Sequence, residues 1–192
     1  NKYKWRVCDM VENVFAPINL QCEYATQPIG LDRPHPRFSW HVPANVRGQR
    51  QTAYEILVSS IESDADTFCA DMWDSGRVDS DCSIHVRYNG KPLASRGRYY
   101  WMVRIWDKDN NVSPYSQVSS FEMGLLDSQD WVAKWIELDY EVTEGNEQPC
   151  PLFRKEFDVV GPVRRARVYV SALGLYELYI NGHRVGDHIL AP

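Results

Sequence analysis

The sequence predicts an all-β fold, and three observations carry that prediction. Short runs of alternating apolar and polar residues recur along the chain, separated by Gly, Pro, Asn and Asp. Two Asn-Gly dipeptides, Asn89-Gly90 and Asn181-Gly182, supply turn residues that tolerate positive φ at little cost. Helical periodicity is nearly absent: the one weak candidate is Ser63–Met72, where Ser63 or Asp64 could cap a short turn.

Ile18–Tyr24 reads as the first strand, with Leu20, Cys22 and Tyr24 on one face, and a Pro-rich bend follows (Pro28, Pro34, Pro36). Arg37–Val42 and Gln51–Ser60 come next; in the latter Ala53, Glu55 and Leu57 oppose Tyr54, Ile56 and Val58. Ser83–Tyr88 runs into Asn89-Gly90. The clearest strand is Arg98–Asp107. Tyr99, Trp101, Val103 and Ile105 point one way, and Tyr100, Met102, Arg104 and Trp106 the other. The face without a charge is assigned to the core, so Trp101 points inward. A turn at Asp109–Asn111 leads to a last strand, Gln117–Met123. Six or seven strands in about 110 residues suit a fibronectin type III or immunoglobulin-like β-sandwich over residues 18–124, after an N-terminal extension, residues 1–17. A boundary is expected near Gly124–Gln129.

The β pattern then resumes with Ala133–Leu138, a polar loop Glu141–Pro151, Phe153–Val159 and Arg165–Ser171. A hairpin closes it, with Tyr176, Leu178 and Ile180 alternating against Glu177 and Tyr179 before Asn181-Gly182. About five strands are fewer than a sandwich needs to cover both faces, so residues 125–192 are expected to be the incomplete start of a second domain. Such a domain should either be poorly ordered or pair with a neighbouring molecule, because unpaired strand edges are hazardous.

The formal net charge of −5 argues against a nucleic-acid binder, which needs clustered Lys and Arg. No apolar run approaches the roughly 18 residues of a membrane span. Five cysteines at wide spacings, without a Cys-x-x-Cys pair, form neither a zinc ribbon nor a compelling disulfide framework. Cys22 is expected to be a buried free thiol.

Catalytic signatures are missing: the chain holds no Gly-x-Ser-x-Gly elbow, no Walker A loop and no Gly-x-Gly-x-x-Gly. Asp107, Asp109 and Asn111 resemble the opening of a calcium loop, but an EF-hand needs Gly and Glu where this chain has Val112 and Val118. A turn closed by Asx side chains is the better account. His183 and His188 lack a third metal ligand. Arg154, Lys155, Arg164, Arg165, Arg167 and Arg184 read as charged outer faces of strands. Glu141, Glu144, Glu147, Asp79 and Asp81 read as solvated acidic loops, since a catalytic acid needs partial burial to raise its pKa. No metal, cofactor or catalytic residue is therefore expected. Seven tryptophans raise the possibility of stacking on sugar rings. Trp40, Trp73, Trp101 and Trp106 are expected in the core or at a domain interface, and Trp131 and Trp135 as a seal between domains; Trp5 has no assignment.

Several segments, in order, resemble the N-terminal part of bacterial α-L-rhamnosidases of glycoside hydrolase family 78. Glu23–Trp40 (EYATQPIGLDRPHPRFSW) is similar to the family's opening strand and Pro-rich bend. Gln51–Ser60 (QTAYEILVSS), Trp73–Val78 (WDSGRV) and Tyr99–Asp107 (YYWMVRIWD) resemble its fibronectin-like domain. Ser120–Trp135 (SFEMGLLDSQDWVAKW) resembles the junction. Phe153–Phe157 (FRKEF) and Ser171–Pro192 (SALGLYELYINGHRVGDHILAP) resemble the truncated start of a jelly-roll β-sandwich.

The resemblance implies an inverting enzyme that removes terminal α-L-rhamnosyl groups in an (α/α)6 barrel, with one acid protonating the leaving oxygen and another activating water. That barrel lies downstream of these residues, so none of its catalytic residues transfers to this sequence. The implied role is accessory, and the implied partners are the downstream catalytic domain of the same polypeptide and rhamnosylated glycans. A periplasmic or secreted bacterial parent is favoured over a cytoplasmic one. Two alternatives stand beside this: a carbohydrate-binding module, and a fibronectin-type structural or adhesion module.

Overall fold

A run that alternates with period two leaves its backbone N–H and C=O groups unpaired until another run lies beside it. The computed structural model describes residues 15–43, 47–138 and 150–187. In chain order the strands are β1 (Ile18–Cys22), β2 (Arg37–His41), β3 (Gln51–Ser59), β4 (Trp73–Asp74), β5 (Val78–Asp79), β6 (Val86–Arg87), β7 (Arg98–Asp107), β8 (Ser119–Glu122), β9 (Tyr179–Ile180) and β10 (His183–Arg184). They fall into two units, one up to Trp135 and one from Ile136.

The first unit is a two-sheet sandwich. One sheet runs β1-β2-β6; the other runs β4-β3-β7-β8, with β5 also paired to β3. Its spine is the antiparallel β3–β7 ladder, where Tyr54 faces Ile105, Ile56 faces Val103 and Val58 faces Trp101. Those six side chains join Leu20, Cys22, Phe38, Trp40, Val86 and Phe121 in one core. Phe38 lies at its centre: its ring is 4.3 Å from that of Trp101 and 5.6 Å from that of Phe121, centroid to centroid. Burying a side chain of this size contributes about 1.5–3 kcal/mol. The inward assignment of Trp101 holds, since it is fully buried.

Beyond β8, residues 113–116 continue alongside β7 without forming a regular strand. Ser113 and Ser116 donate their N–H groups to the carbonyls of Ile105 and Val103. Their hydroxyls accept from the N–H groups of the same two residues, at 3.0 and 3.1 Å. Pro114 between them has no N–H to give, so serine side chains complete the ladder. The Pro-rich bend returns to β8: Glu122 N–H donates to Pro28 O, Leu31 N–H to Glu122 O, and Gly124 N–H to Leu31 O. Leu31 and Met123 form a parallel bridge.

Several boundaries differ from expectation. β1 ends at Cys22 because Glu23 and Tyr24 have φ of 46° and 70°, which turns Tyr24 out to 63 % exposure instead of continuing the face of Leu20 and Cys22. The helix candidate shortens to a 3₁₀ turn, Ala65–Thr67. Asn89-Gly90 is not a positive-φ turn. Glycine is needed there for space: a Cβ would lie 2.5 Å from both the Trp73 Cβ and the Tyr88 hydroxyl.

In the second unit the expected hairpin is present. Ile180 faces His183 and Tyr179 faces Arg184 around Asn181-Gly182, whose φ values of 51° and 81° are those of a type I′ turn. The strands expected at Ala133–Leu138, Phe153–Val159 and Arg165–Ser171 are not formed. No neighbouring strand completes their ladders among the described residues, and alternation without a partner does not make a strand. Their apolar residues stay exposed, Phe157 at 74 % for example.

Candidate functional site on the outer sheet face

The alternation of β3 and β7 sends a second set of side chains away from the core. Glu55 stands opposite Arg104, and Ala53 opposite Trp106. Arg104 is ion-paired with Glu55, and the Tyr115 hydroxyl donates to the same carboxylate at 2.8 Å. The Arg104 guanidinium lies 4.7 Å from the Tyr115 ring centre and 5.3 Å from that of Trp106. Arg77, from the turn between β4 and β5, lies 4.9 Å from the Trp106 ring centre and pairs with Asp79 at 3.0 Å. Burial, and then the hydrogen bond to Glu55, push the Tyr115 phenol well above its ordinary value. Its proton stays on Tyr115 and holds the carboxylate in place.

This cluster is chemically closed. The Glu55 carboxylate is taken up by Arg104 and Tyr115, and two guanidinium groups lie against Trp106, where a sugar ring would have to stack. The arrangement stiffens a sheet face and shows no free acid–base pair. Sequence alternation placed Arg104 and Trp106 outward, but Tyr115 and Arg77 reach the cluster from irregular segments that no periodicity marks.

The other candidates are scattered. Trp40 and Trp101 are buried, and Trp73 packs against the core. The Trp40 indole N–H donates to Gln51 Oε1 at 2.9 Å, while Gln51 Nε2 donates to the carbonyls of Ser80 and Cys82. Trp131 and Trp135 are exposed. Asp107 is 1 % exposed. Its Oδ1 accepts from the N–H groups of Asp109 and Asn111 at 2.9 and 2.8 Å, and its Oδ2 from the amides of Gln49 and Asn111. Burial works to raise this carboxyl; the donated hydrogen bonds outweigh it and hold Asp107 below its ordinary value. Four N–H groups point where a cation would have to sit, so this is an Asx-closed turn.

Asp79, Asp81 and His183 are exposed, as are Arg154, Lys155, Arg164, Arg165, Arg167 and Arg184. Arg154 pairs with Glu156 and Arg184 with Glu177. Among the described residues no group of three or more His, Cys, Asp or Glu could hold a metal ion. Trp5, Glu141, Glu144, Glu147 and His188 lie outside the described residues.

A family model described as "Rha78A-like, N-terminal immunoglobulin domain" matches residues 17–127, which is the sandwich just described. The chain belongs to this family. A second model, "Alpha-L-rhamnosidase N-terminal domain", matches residues 161–192 of this Rha78A-like chain. An α-L-rhamnosidase of Formosa agariphila is 40 % identical over 186 residues, covering 87 % of this chain and 20 % of its own length. One from Streptomyces avermitilis is 37 % identical over 182 residues, covering 85 % of this chain and 18 % of its own. The structure of an α-L-rhamnosidase from Dictyoglumus thermophilum superposes with a TM-score of 0.83 at 40 % identity, over 94 % of this chain and 22 % of that one. The Rha78A-like chain thus corresponds to the N-terminal region of α-L-rhamnosidases and spans about a fifth of the length of the relatives it matches. Among the described residues no helix is long and apolar enough to cross a membrane.

Proposed function

We propose that this chain is the accessory, non-catalytic N-terminal region of an inverting α-L-rhamnosidase, working beside a catalytic domain carried further along the same polypeptide. In this reading residues 18–124 form the immunoglobulin-like domain and residues 125–192 begin the next. One observation carries the proposal: relatives at about this identity carry roughly four fifths of their length outside the stretch they share with the chain. The closed outer-face cluster supports it, because the Glu55 carboxylate is committed to Arg104 and Tyr115, and Asp79 is paired with Arg77.

The test is hydrolysis of an aryl α-L-rhamnoside. The purified chain should show none, and a polypeptide extended to the length of the relatives should turn the substrate over. Turnover by the chain alone would overturn the proposal.

A second reading, a carbohydrate-binding module, rests on the exposed indoles of Trp131 and Trp135. It requires their fluorescence to shift with rhamnose or rhamnosylated oligosaccharides. Calorimetry showing no heat with these sugars would remove it.

A further inference from the structure

The outer face of the β1-β2-β6 sheet carries opposed arginines on a chain whose formal net charge is −5. Arg37 and Arg87 stand directly opposite each other across β2 and β6, a placement that costs stability for like charges. The Glu23 carboxylate relieves only one of them. It accepts from Arg37 Nε at 3.1 Å and Nη2 at 2.7 Å, and from the Arg37 backbone N–H at 2.8 Å. Arg33 approaches the same carboxylate at 3.6 Å. The hydrogen bond from Arg37 holds Glu23 below its ordinary value. Arg87 is exposed and has no ion pair among the described residues.

Tyr24 extends the patch. Its ring lies 5.2 Å from the Arg37 guanidinium and 4.8 Å from the His85 ring, and it is turned out into solvent. The result is two arginines on one engaged carboxylate, a third arginine across the strand pair from Arg37, and an exposed tyrosine against Arg37. Tyr and Arg are both enriched at protein–protein contacts. A repulsive Arg37–Arg87 pair is relieved when a carboxylate from elsewhere arrives between them.

We infer that this face docks an acidic surface of the polypeptide carried beyond the stretch shared with the relatives, with Arg33 and Arg87 as its ion-pairing groups and Tyr24 as its buried anchor. The inference rests on the accessory reading above. An acidic surface within the same polypeptide meets this face at the high effective concentration of a tethered partner, so a modest contact suffices.

Hydroxyl-radical footprinting of Tyr24 in the polypeptide extended to the relatives' length tests it. At low ionic strength Tyr24 should be protected. Protection should be lost at about 1 M salt, where the screening length falls to roughly 3 Å. It should also be lost in the Arg33→Glu, Arg87→Glu double variant at low salt. Arg50→Glu, an exposed reversal at the start of β3, should leave protection intact. Three results would each overturn the inference: Tyr24 reacting as a free surface tyrosine at low salt, protection that neither salt nor reversal removes, or equal loss with Arg50→Glu. The salt arm needs no variant to fold. The hydrolysis assay reports on the accessory reading separately.

Discussion

Replacing Asp107 by alanine should destabilise the first unit by about 2–3 kcal/mol. The carboxylate is buried and accepts four N–H donors. Of these, the Asn111 and Gln49 amides can swing toward water. The backbone N–H groups of Asp109 and Asn111 cannot, because the turn is held by Asn110 N–H on Asp107 O and Asp107 N–H on Asn111 O. Each donor left without a partner costs about 1 kcal/mol at the low end of the usual range, and the lost charge assistance adds a similar amount. For a domain of this size that is a fall in Tm of roughly 10 °C. Asp107→Asn should cost about 1 kcal/mol, since its carbonyl still serves both backbone donors while the facing amides rotate to offer their oxygens.

Urea unfolding followed by the emission of buried Trp40 and Trp101 reads both variants. The folded-state pKa of Asp107 lies below its ordinary 3.8. Its contribution is therefore complete above the unfolded-state value and is lost as pH falls through the lower, folded value. The gap between wild type and Asp107→Ala should thus be widest near neutrality and close in strong acid. An alanine variant as stable as wild type would refute this account. So would calcium stabilising wild type but not the variant, because that would restore the cation-loop alternative.

Trp40→Phe should cost about 2–4 kcal/mol, combining lost volume with an orphaned Gln51 oxygen whose amide is held by Ser80 and Cys82. A double-mutant cycle with Gln51→Ala should show coupling of at least about 0.5 kcal/mol, and strict additivity would argue against the bond. Burial, with a smaller push from nearby Glu23, raises the Cys22 thiol far above its ordinary value. In native protein a maleimide followed by peptide mapping should modify the exposed Cys69, Cys82 and Cys150 and spare Cys22 until urea unfolds the chain. Native labelling of Cys22 at a rate matching the others would contradict its burial.

The sandwich was legible where alternation had two unequal faces. Tyr54, Ile56 and Val58 against Glu55, or Trp101 and Val103 against Arg104, allow only one choice of inner face, and the structure makes that choice. Alternation failed where a strand needs something other than its own pattern. Residues 113–116 pair through serine hydroxyls around a proline, and β4 and β5 have two residues each, too short for a period to register. Among the described residues Phe153–Val159 carries the pattern without a neighbouring strand, so nothing there converts it into a ladder. The outer-face cluster was half visible for the same reason: Arg104 and Trp106 come from a strand, Tyr115 and Arg77 from loops. The Arg37–Arg87 opposition depends on register between strands far apart in sequence, which no single strand reveals.

The return of residues 28–31 onto β8 also has a mechanical consequence. β1 meets β2 in antiparallel register with Ile18 at its outer end, so tension on the amino-terminal side can peel that pair open one bond at a time. The load then reaches the parallel bridge between Leu31 and Met123. There one segment is drawn toward its amino end and the other toward its carboxyl end, and parallel partners pulled in opposite senses resist together. The bonds joining Pro28, Leu31, Glu122 and Gly124 share the force in shear. A pull transmitted through the chain's exit from the sandwich meets this latch at Met123, itself a core residue.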